Sequence, residues 1–290
     1  MSTNLRKSIT MHKRILALII ISALVAAGGI SLYYQSQTAS TSNRIVVFAG
    51  SAASPVYNEA VPIFETKTGI KVELQLGGSG SLLSSMQIAK TGDIYIPGSP
   101  DYLLKANNSG VVNLNATETK ILAYLVPAII VQKGNPKNIT SLQDLAKPGI
   151  TIGIGDPESV CVGLYAKELL ESNNLWDAVS PNIITNAQSC DATAALIPTK
   201  AVDAVIGWHV FYNWNPDKTD IIWINSSQIP KISYIAGAVS VYSQDKANAQ
   251  NFLDFLSSPA ASAIWAKYGY FTTEQEAKVH APNATIEPIG

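Results

Sequence analysis

The sequence predicts an α/β protein of two lobes, in which each lobe is a mostly parallel sheet flanked by helices and two crossover strands join the lobes. Repeated strand–helix units support the sheets, because such units form parallel sheets covered by helices. Two long apolar segments, 121–131 and 232–242, support the crossovers, since each is suited to run from one lobe to the other. One lobe then takes 44–124 and 233–290, and the other takes 125–232.

The composition is that of a folded protein with a negative surface. Of the 290 residues, 47% are hydrophobic and 14% are charged, so a sizeable core is available. Four of the 20 basic side chains and none of the 21 acidic ones fall within residues 1–43, which leaves the remainder near −5. A negative surface disfavours nucleic acid as a partner. An anionic ligand therefore requires a local, shaped site.

The N-terminal segment predicts export. Residues 15–34 carry no charge and follow Lys13 and Arg14, and about 20 such residues are long enough to span a bilayer as a helix. We interpret residues 1–43 as a membrane anchor followed by a polar tether, with a signal peptide removed near 25–27 as the alternative. The folded part is then expected at the cell surface or in the periplasm, either anchored or secreted.

The first elements follow one another in a regular order. The apolar run 44–49 is typical of a buried strand. Ser54 and Pro55 then supply an N-cap and a first-turn proline for a helix that ends at Gly69. Pro62 interrupts the apolar pattern of this helix and predicts a kink.

The later elements repeat this order. Residues 70–76 alternate as a second strand, the loop 77–81 turns into a helix at 82–90, and 93–96 form a third short strand. Further strands and helices are predicted at 121–132, 150–154, 163–173, 191–200, 204–207 and 221–224, with a closing helix that contains Phe252, Leu253, Leu256, Ile264 and Trp265.

Two loops of small residues follow the first two predicted strands. They span residues 50–54 and 77–81 and consist of glycine, alanine and serine. In open α/β sheets, ligands bind beyond the carboxyl ends of the strands, where helix N-termini present unpaired N–H groups. Small residues let a ligand approach the backbone, and serine adds hydroxyl donors. Taken alone, such loops also occur as simple turns.

The sequence disfavours nucleotide binding, metal binding and catalysis. A Gly-Lys-Ser/Thr phosphate loop is absent, and the loop at 77–81 does not fit the dinucleotide-binding pattern. Beyond the tether only His209 and His280 are histidines, which leaves a histidine-dependent hydrolase or metal centre little to work with. We expect a packed or rim position for His209, no cofactor, no metal and no enzymatic activity.

The only two cysteines are Cys161 and Cys190. In an exported protein an isolated pair of cysteines is more often a disulfide than a metal site. We therefore predict a Cys161–Cys190 disulfide, and the alternative is two buried free thiols.

Three segments resemble the molybdate- and tungstate-binding proteins of ABC importers. They are 47–51, 77–82 and, most specifically, 155–168. The resemblance implies a periplasmic-binding-protein fold of the class II-like type. It also implies a monomeric extracytoplasmic binding protein that holds a tetrahedral oxyanion between its lobes and delivers it to an ABC permease and its ATPase. The alternatives are a binding protein for sulfate, phosphate or another small anion, and an extracellular anion sensor that does not transport.

The resemblance also implies a set of ligand contacts. Hydroxyl contacts fall on Ser79 and on Ser51, with Ala52 and Ser54 as alternatives to Ser51, and backbone amide contacts fall on Val162 and Cys190. Trp208 stands where the family has a tyrosine, so its indole N–H either contacts the ligand or lines the cleft. These contacts suit a deprotonated dianion, because such an ion only accepts hydrogen bonds and needs donors without carboxylates.

Overall fold

The computed structural model describes residues 43–115 and 118–289. The strands in these ranges are β1 Arg44–Gly50, β2 Lys71–Gly77, β3 Ile94–Ile96, β4 Lys120–Leu125, β5 Pro127–Gln132, β6 Ile152–Gly155, β7 Ile183–Ala187, β8 Ala204–Trp208, β9 Thr219–Ile222, β10 Lys231–Val239 and β11 Thr285–Ile286. The helices are α1 Ser54–Thr68, α2 Ser79–Ala89, α3 Pro100–Asn108, α4 Cys161–Ser172, α5 Trp176–Val179, α6 Cys190–Ala195, α7 Phe211–Trp214, α8 Lys246–Leu256, α9 Pro259–Lys267 and α10 Glu274–His280.

The strands form two sheets. The first has the order β11-β10-β3-β1-β2, with β4 also paired to β10, and the second has the order β7-β6-β8-β5-β9. Both sheets are mixed: β1 and β3 are parallel, as are β6, β7 and β8, whereas β10 is antiparallel to β3 and β4, and β5 is antiparallel to β8 and β9. The two-sheet α/β architecture is as predicted, but the sheets are less parallel than expected because β5 and β10, at the passages between the sheets, run against their neighbours.

The chain passes between the sheets at two places. Val126 alone separates β4 in the first sheet from β5 in the second, within the predicted crossover 121–131. The return runs through 223–230, because β10 pairs only with strands of the first sheet. The segment 232–242 is therefore mainly a strand of the first sheet. The described residues from Ile45 to Ile289 belong to one compact unit.

Local signals set the starts and ends of the helices. Helix α1 has proline in its first turn and ends at Gly69 with φ 72°, as predicted, but it continues through Pro62 without interruption. Helices α2, α4 and α6 begin one to three residues before their predicted starts, at Ser79, Cys161 and Cys190. These three residues therefore lie at the first turns of helices.

The core consists of two buried clusters. The larger includes Val47 and Ile94 of the first sheet and continues to Cys161 and Trp208 beside the second sheet. The smaller contains Ile152 and other residues of the second sheet and its helices. Because the larger cluster includes residues of both sheets, apolar burial holds the carboxyl ends of their strands against each other. The predicted membrane helix and nearly all of the tether lie outside the described residues, and no described helix is long and apolar enough to span a membrane.

Candidate functional site

Loops from the two sheets meet in direct hydrogen bonds. The Gly80 N–H donates to the Ser159 carbonyl at 2.8 Å, and the Tyr102 hydroxyl donates to the Glu158 carbonyl at 2.9 Å. On the other side the Asp191 N–H donates to Ser51 Oγ at 3.3 Å. The loops and first helical turns that follow β1, β2 and β3 therefore contact those that follow β6 and β7.

Two glycines make this close approach possible. A Cβ at Gly78 would lie 2.7 Å from the Gln188 carbonyl oxygen, and a Cβ at Gly98 would lie 2.6 Å from Cys161 Sγ. Real Cβ atoms do not approach other atoms so closely, so a side chain at Gly78 would push against the backbone of Gln188 and one at Gly98 would displace the Cys161 sulfur. The Gly98 loop follows β3 and was missed by the sequence analysis, which named no ligand contact after the third strand.

Both predicted hydroxyl residues are buried at this contact. Ser79 Oγ accepts the Gly98 N–H at 3.1 Å, which leaves its own proton available for donation. Ser51 reaches the opposite half through its bond from Asp191. Of its alternatives, Ser54 donates to the Ser51 carbonyl at 3.0 Å, and Ala52 has no side-chain donor. The Ser51 hydroxyl therefore bonds across the contact, whereas that of Ser54 is used locally.

The two cysteines lie side by side. Cys161 and Cys190 are buried free thiols whose sulfur atoms are 3.6 Å apart, where the sequence analysis expected a disulfide. Burial alone would raise the pKa of Cys161. The neighbouring Cys190 thiol, Ser79 hydroxyl, Val162 N–H and Trp208 indole more than offset this effect, so the pKa of Cys161 is lowered. The pKa of Cys190 is raised, first by burial and then by the neighbouring Cys161 sulfur.

Two polar groups beside the cysteines lack a partner within hydrogen-bonding geometry. Trp208 Nε1 and the Tyr57 hydroxyl are buried without one. Trp208 helps to lower the pKa of Cys161, and Cys161 adds to the effect of burial in raising the pKa of Tyr57. Tyr57 was not predicted, since a tyrosine on the apolar face of a helix looks like a core residue.

The predicted site residues thus gather around one point. Ser79 Oγ accepts the Gly98 N–H, the Cys161 sulfur lies against Gly98 and Cys190, and Ser51 bonds to the residue after Cys190. Ser79, Val162 and Trp208 all contribute to the lowered pKa of Cys161. The described residues contain no cluster of three or more histidine, cysteine or acidic side chains that could hold a metal ion. The arrangement offers neutral N–H and O–H donors, and so suits a ligand that accepts hydrogen bonds. We call these residues, Ser51, Ser79, Cys161, Val162, Cys190 and Trp208, the donor site.

A second contact between the halves is fully charged. Lys231, the first residue of β10, binds Asp101 of α3 at 2.8 Å and Glu168 of α4 at 2.6 Å, and its ammonium group lies 4.2 Å from the centre of the Tyr165 ring. Burial alone would lower the pKa of Lys231, but the hydrogen bonds to the two carboxylates raise it. The Tyr165 ring in turn packs edge-on against Trp208 at 5.0 Å. This charged cluster therefore borders the donor site.

His209 has the packed position that the sequence analysis expected. Its Nδ1 accepts the Val126 N–H at 3.2 Å, so its Nε2 carries the proton and donates to the Gly269 carbonyl at 3.0 Å. The ring stacks on Phe271 with 4.3 Å between centroids. Burial lowers its pKa to about 4, so the ring is neutral near pH 7.

Residues 45–271 match the family described as bacterial extracellular solute-binding proteins. The chain belongs to this family. It is accordingly a solute-binding protein and not an enzyme, as the sequence analysis expected. The match covers the described residues that form the donor site, including Ser51, Ser79, Cys161, Cys190 and Trp208.

The chain is also similar to a curated relative in sequence and to solved structures in fold. The chain is 23% identical to the molybdate-binding protein ModA of Escherichia coli over 258 residues, which cover 85% of this chain and 96% of that protein. The structure is similar to the periplasmic molybdate-binding protein of Azotobacter vinelandii, with a TM-score of 0.68, 17% identity and coverage of 79% and 100%. It is also similar to the sulfate-binding protein SubI of Mycobacterium tuberculosis, with a TM-score of 0.71, 17% identity and coverage of 81% and 89%.

Proposed function

We propose that this protein binds a tetrahedral oxyanion, molybdate or tungstate, between its two sheets and delivers it to an ABC importer. The observation that carries this proposal is the convergence of neutral donors from both sheets. The Ser79 hydroxyl comes from the first half, and the Val162 N–H and the unpartnered Trp208 indole come from the second. A buried donor without an acceptor costs about 1–3 kcal/mol, so an ion that accepts several hydrogen bonds stabilises this arrangement.

Calorimetry on the purified protein tests the proposal. Tungstate and molybdate should bind more tightly than sulfate. Phosphate should bind weakly or undetectably, because near neutral pH it carries a proton that requires an acceptor and the donor site supplies none. Tight phosphate binding, or no binding of any of the four ions, would contradict the proposal.

Sulfate is the second candidate. It is also a dianion without a proton, and the similarity to a sulfate-binding protein favours it. The size of the closed site must then decide between sulfate and the larger molybdate and tungstate ions. A tungstate affinity that exceeds the sulfate affinity by about tenfold or more, equivalent to 1.4 kcal/mol, would favour the first candidate.

Binding is proposed to close two lobes around the ion. In this proposal the two sheets mark the predicted lobes 44–124 with 233–290 and 125–232, which move about Val126 and the return segment 223–230. Small-angle scattering should show a smaller radius of gyration after tungstate is added, and the melting temperature should rise because the ligand binds the native state. Uptake of labelled tungstate by cells with and without the gene separates an importer component from a sensor.

A further inference from the structure

A tyrosine hydroxyl on helix α1 is buried without a hydrogen-bond partner among the described residues. It belongs to Tyr57, whose side chain is fully enclosed in the larger core cluster. Such a hydroxyl destabilises a folded protein, because it gives up its hydrogen bonds to water and gains none in return. Phenylalanine would fill the same space without that cost, so the hydroxyl of Tyr57 requires an explanation.

The position of Tyr57 in α1 directs its hydroxyl toward the donor site. Tyr57 is the fourth residue of this helix, and a single turn of 3₁₀ helix, Ser51–Ala53, directly precedes the helix. Long side chains in an α-helix lean toward its N-terminus and lie over the preceding turn. The phenol of Tyr57 therefore extends back toward the 3₁₀ turn, which contains the predicted ligand contact Ser51.

Aromatic neighbours hold the ring of Tyr57 at this end of the helix. The ring packs edge-on against Trp265, with 6.1 Å between centroids, and Trp265 packs edge-on against Tyr270 at 5.1 Å. Tyr270 donates its hydroxyl to the Ala52 carbonyl. The three rings therefore pack next to the 3₁₀ turn.

The same turn lies where the two halves meet. A Cβ at Gly98 would lie 3.1 Å from Ala52 Cβ and 2.6 Å from Cys161 Sγ, so both side chains border Gly98. The turn also packs against α6, which begins at Cys190. Burial, and next the Cys161 sulfur, raise the pKa of Tyr57, so its hydroxyl keeps its proton. Tyr57 thus brings an unused donor to the central contact.

We propose that the Tyr57 hydroxyl binds the oxyanion by donating a hydrogen bond to it. This inference rests on the proposed function and adds a third hydroxyl from the first half to those of Ser51 and Ser79. Without the ion the hydroxyl is buried and unpartnered. With the ion it gains a charged acceptor, and hydrogen bonds to charged groups are about twice as strong as neutral ones. Tyr57 therefore lowers the stability of the ligand-free protein and raises the affinity for the ion.

Tyr57→Phe tests the proposal, because it removes the hydroxyl and keeps the ring. Calorimetry should show tungstate binding about tenfold weaker than in the wild type, since the ion loses one donor. The ligand-free variant should melt at a temperature no lower than the wild type, because the hydroxyl that it loses has no partner. A hydroxyl with a structural role would instead lower the melting temperature when removed.

Tyr234→Phe is the matched control. Tyr234 is also a buried tyrosine, but its hydroxyl donates to the Glu287 carbonyl at 2.8 Å. Loss of that hydroxyl should lower the melting temperature and leave tungstate affinity unchanged.

Two results would overturn the role of Tyr57. One is equal tungstate affinity in Tyr57→Phe and the wild type, and the other is a weaker affinity accompanied by a lower melting temperature of the ligand-free variant. Failure of the wild type to bind any oxyanion would instead overturn the proposed function on which the inference rests.

Discussion

The two halves of this protein, each built on one of the two sheets, contact each other at two neighbouring places. One place presents neutral hydrogen-bond donors, and the other contains charged side chains. At the centre, Ser79, Val162 and Trp208 present neutral donors, and the indole has no geometric partner of its own. At the edge, Lys231 is matched by the carboxylates of Asp101 and Glu168. The charged contact pairs its cation with two carboxylates, whereas the neutral contact lacks acceptors. The comparison teaches that the charged edge can hold the halves together without a ligand. The centre, in contrast, is stabilised most by an anion that accepts its hydrogen bonds.

The largest effect on tungstate affinity is expected from a substitution that adds volume at the central contact. A Cβ at Gly78 would meet the Gln188 carbonyl oxygen at 2.7 Å, whereas a Cβ at Gly77 would meet only Leu82 at 3.5 Å. Gly78→Ala should weaken tungstate binding by about 100-fold, since overpacking costs about 1–3 kcal/mol. Gly77→Ala is the matched control and should bind normally. Calorimetry measures both, and equal affinities would show that the central contact tolerates extra volume.

The next effect is expected from removing one central donor. Ser79→Ala deletes the hydroxyl proposed to bind the ligand and also the acceptor of the Gly98 N–H. We expect tungstate affinity to fall by about 10- to 100-fold, in line with 1–3 kcal/mol for a buried polar group left unpaired. Ser81→Ala, at an exposed position in the same helix, should have no effect. An unchanged affinity in Ser79→Ala would remove this hydroxyl from the site.

A smaller effect is expected from breaking the charged edge. Lys231→Met leaves Asp101 and Glu168 without their cation, which should lower the free energy of unfolding by about 1–2 kcal/mol and tungstate affinity by up to about tenfold. The ratio of tungstate to sulfate affinity should not change, because the edge does not contact the ion in the proposed site. Lys267→Met breaks the more exposed pair with Glu59 and should change the free energy of unfolding much less, because solvent screens an exposed ion pair. A changed ion preference in Lys231→Met would mean that the edge takes part in selection.

The sequence predicted the elements whose signals are local. Ser54, Pro55 and Gly69 give the bounds of α1 closely, and the small-residue loop at 77–81 leads into α2 at the donor site. Strands β5 and β10 each run antiparallel to the neighbours in their own sheet, and this direction was not predictable from the sequence. It depends on where the chain passes between the sheets. No local pattern carries that information.

The sequence also predicted which residues gather at the donor site better than how they interact. Ser79, Val162, Cys190 and Trp208 do gather, but the part that Ser79, Val162 and Trp208 play in lowering the pKa of Cys161 was not foreseen. The Lys231 cluster was missed altogether. Its partners lie 130 and 63 positions away along the chain, and each looks like an ordinary surface charge until the fold brings them together.

The smallest expected effect concerns a third contact, at the passage between the sheets, where His209 is held neutral. Its folded pKa of about 4 lies below the ordinary value of about 6.5, so between these values the unfolded chain binds the proton more readily. The stability that the neutral ring contributes is therefore present above pH 6.5 and is lost as the pH falls toward 4.

Urea unfolding at several pH values measures this loss. Between pH 7 and 5.5 the wild type should lose about 1 kcal/mol that His209→Gln does not lose. His280, whose pKa is also lowered by burial, packs near the same aromatic rings and is less buried, so His280→Gln should keep most of the pH dependence.

The wild-type His209 ring should also show no protonation above about pH 5 by nuclear magnetic resonance, since its neutral Nδ1 must accept the Val126 N–H. Protonation near pH 6.5 would mean that this contact, like the Lys231 edge, tolerates a charge.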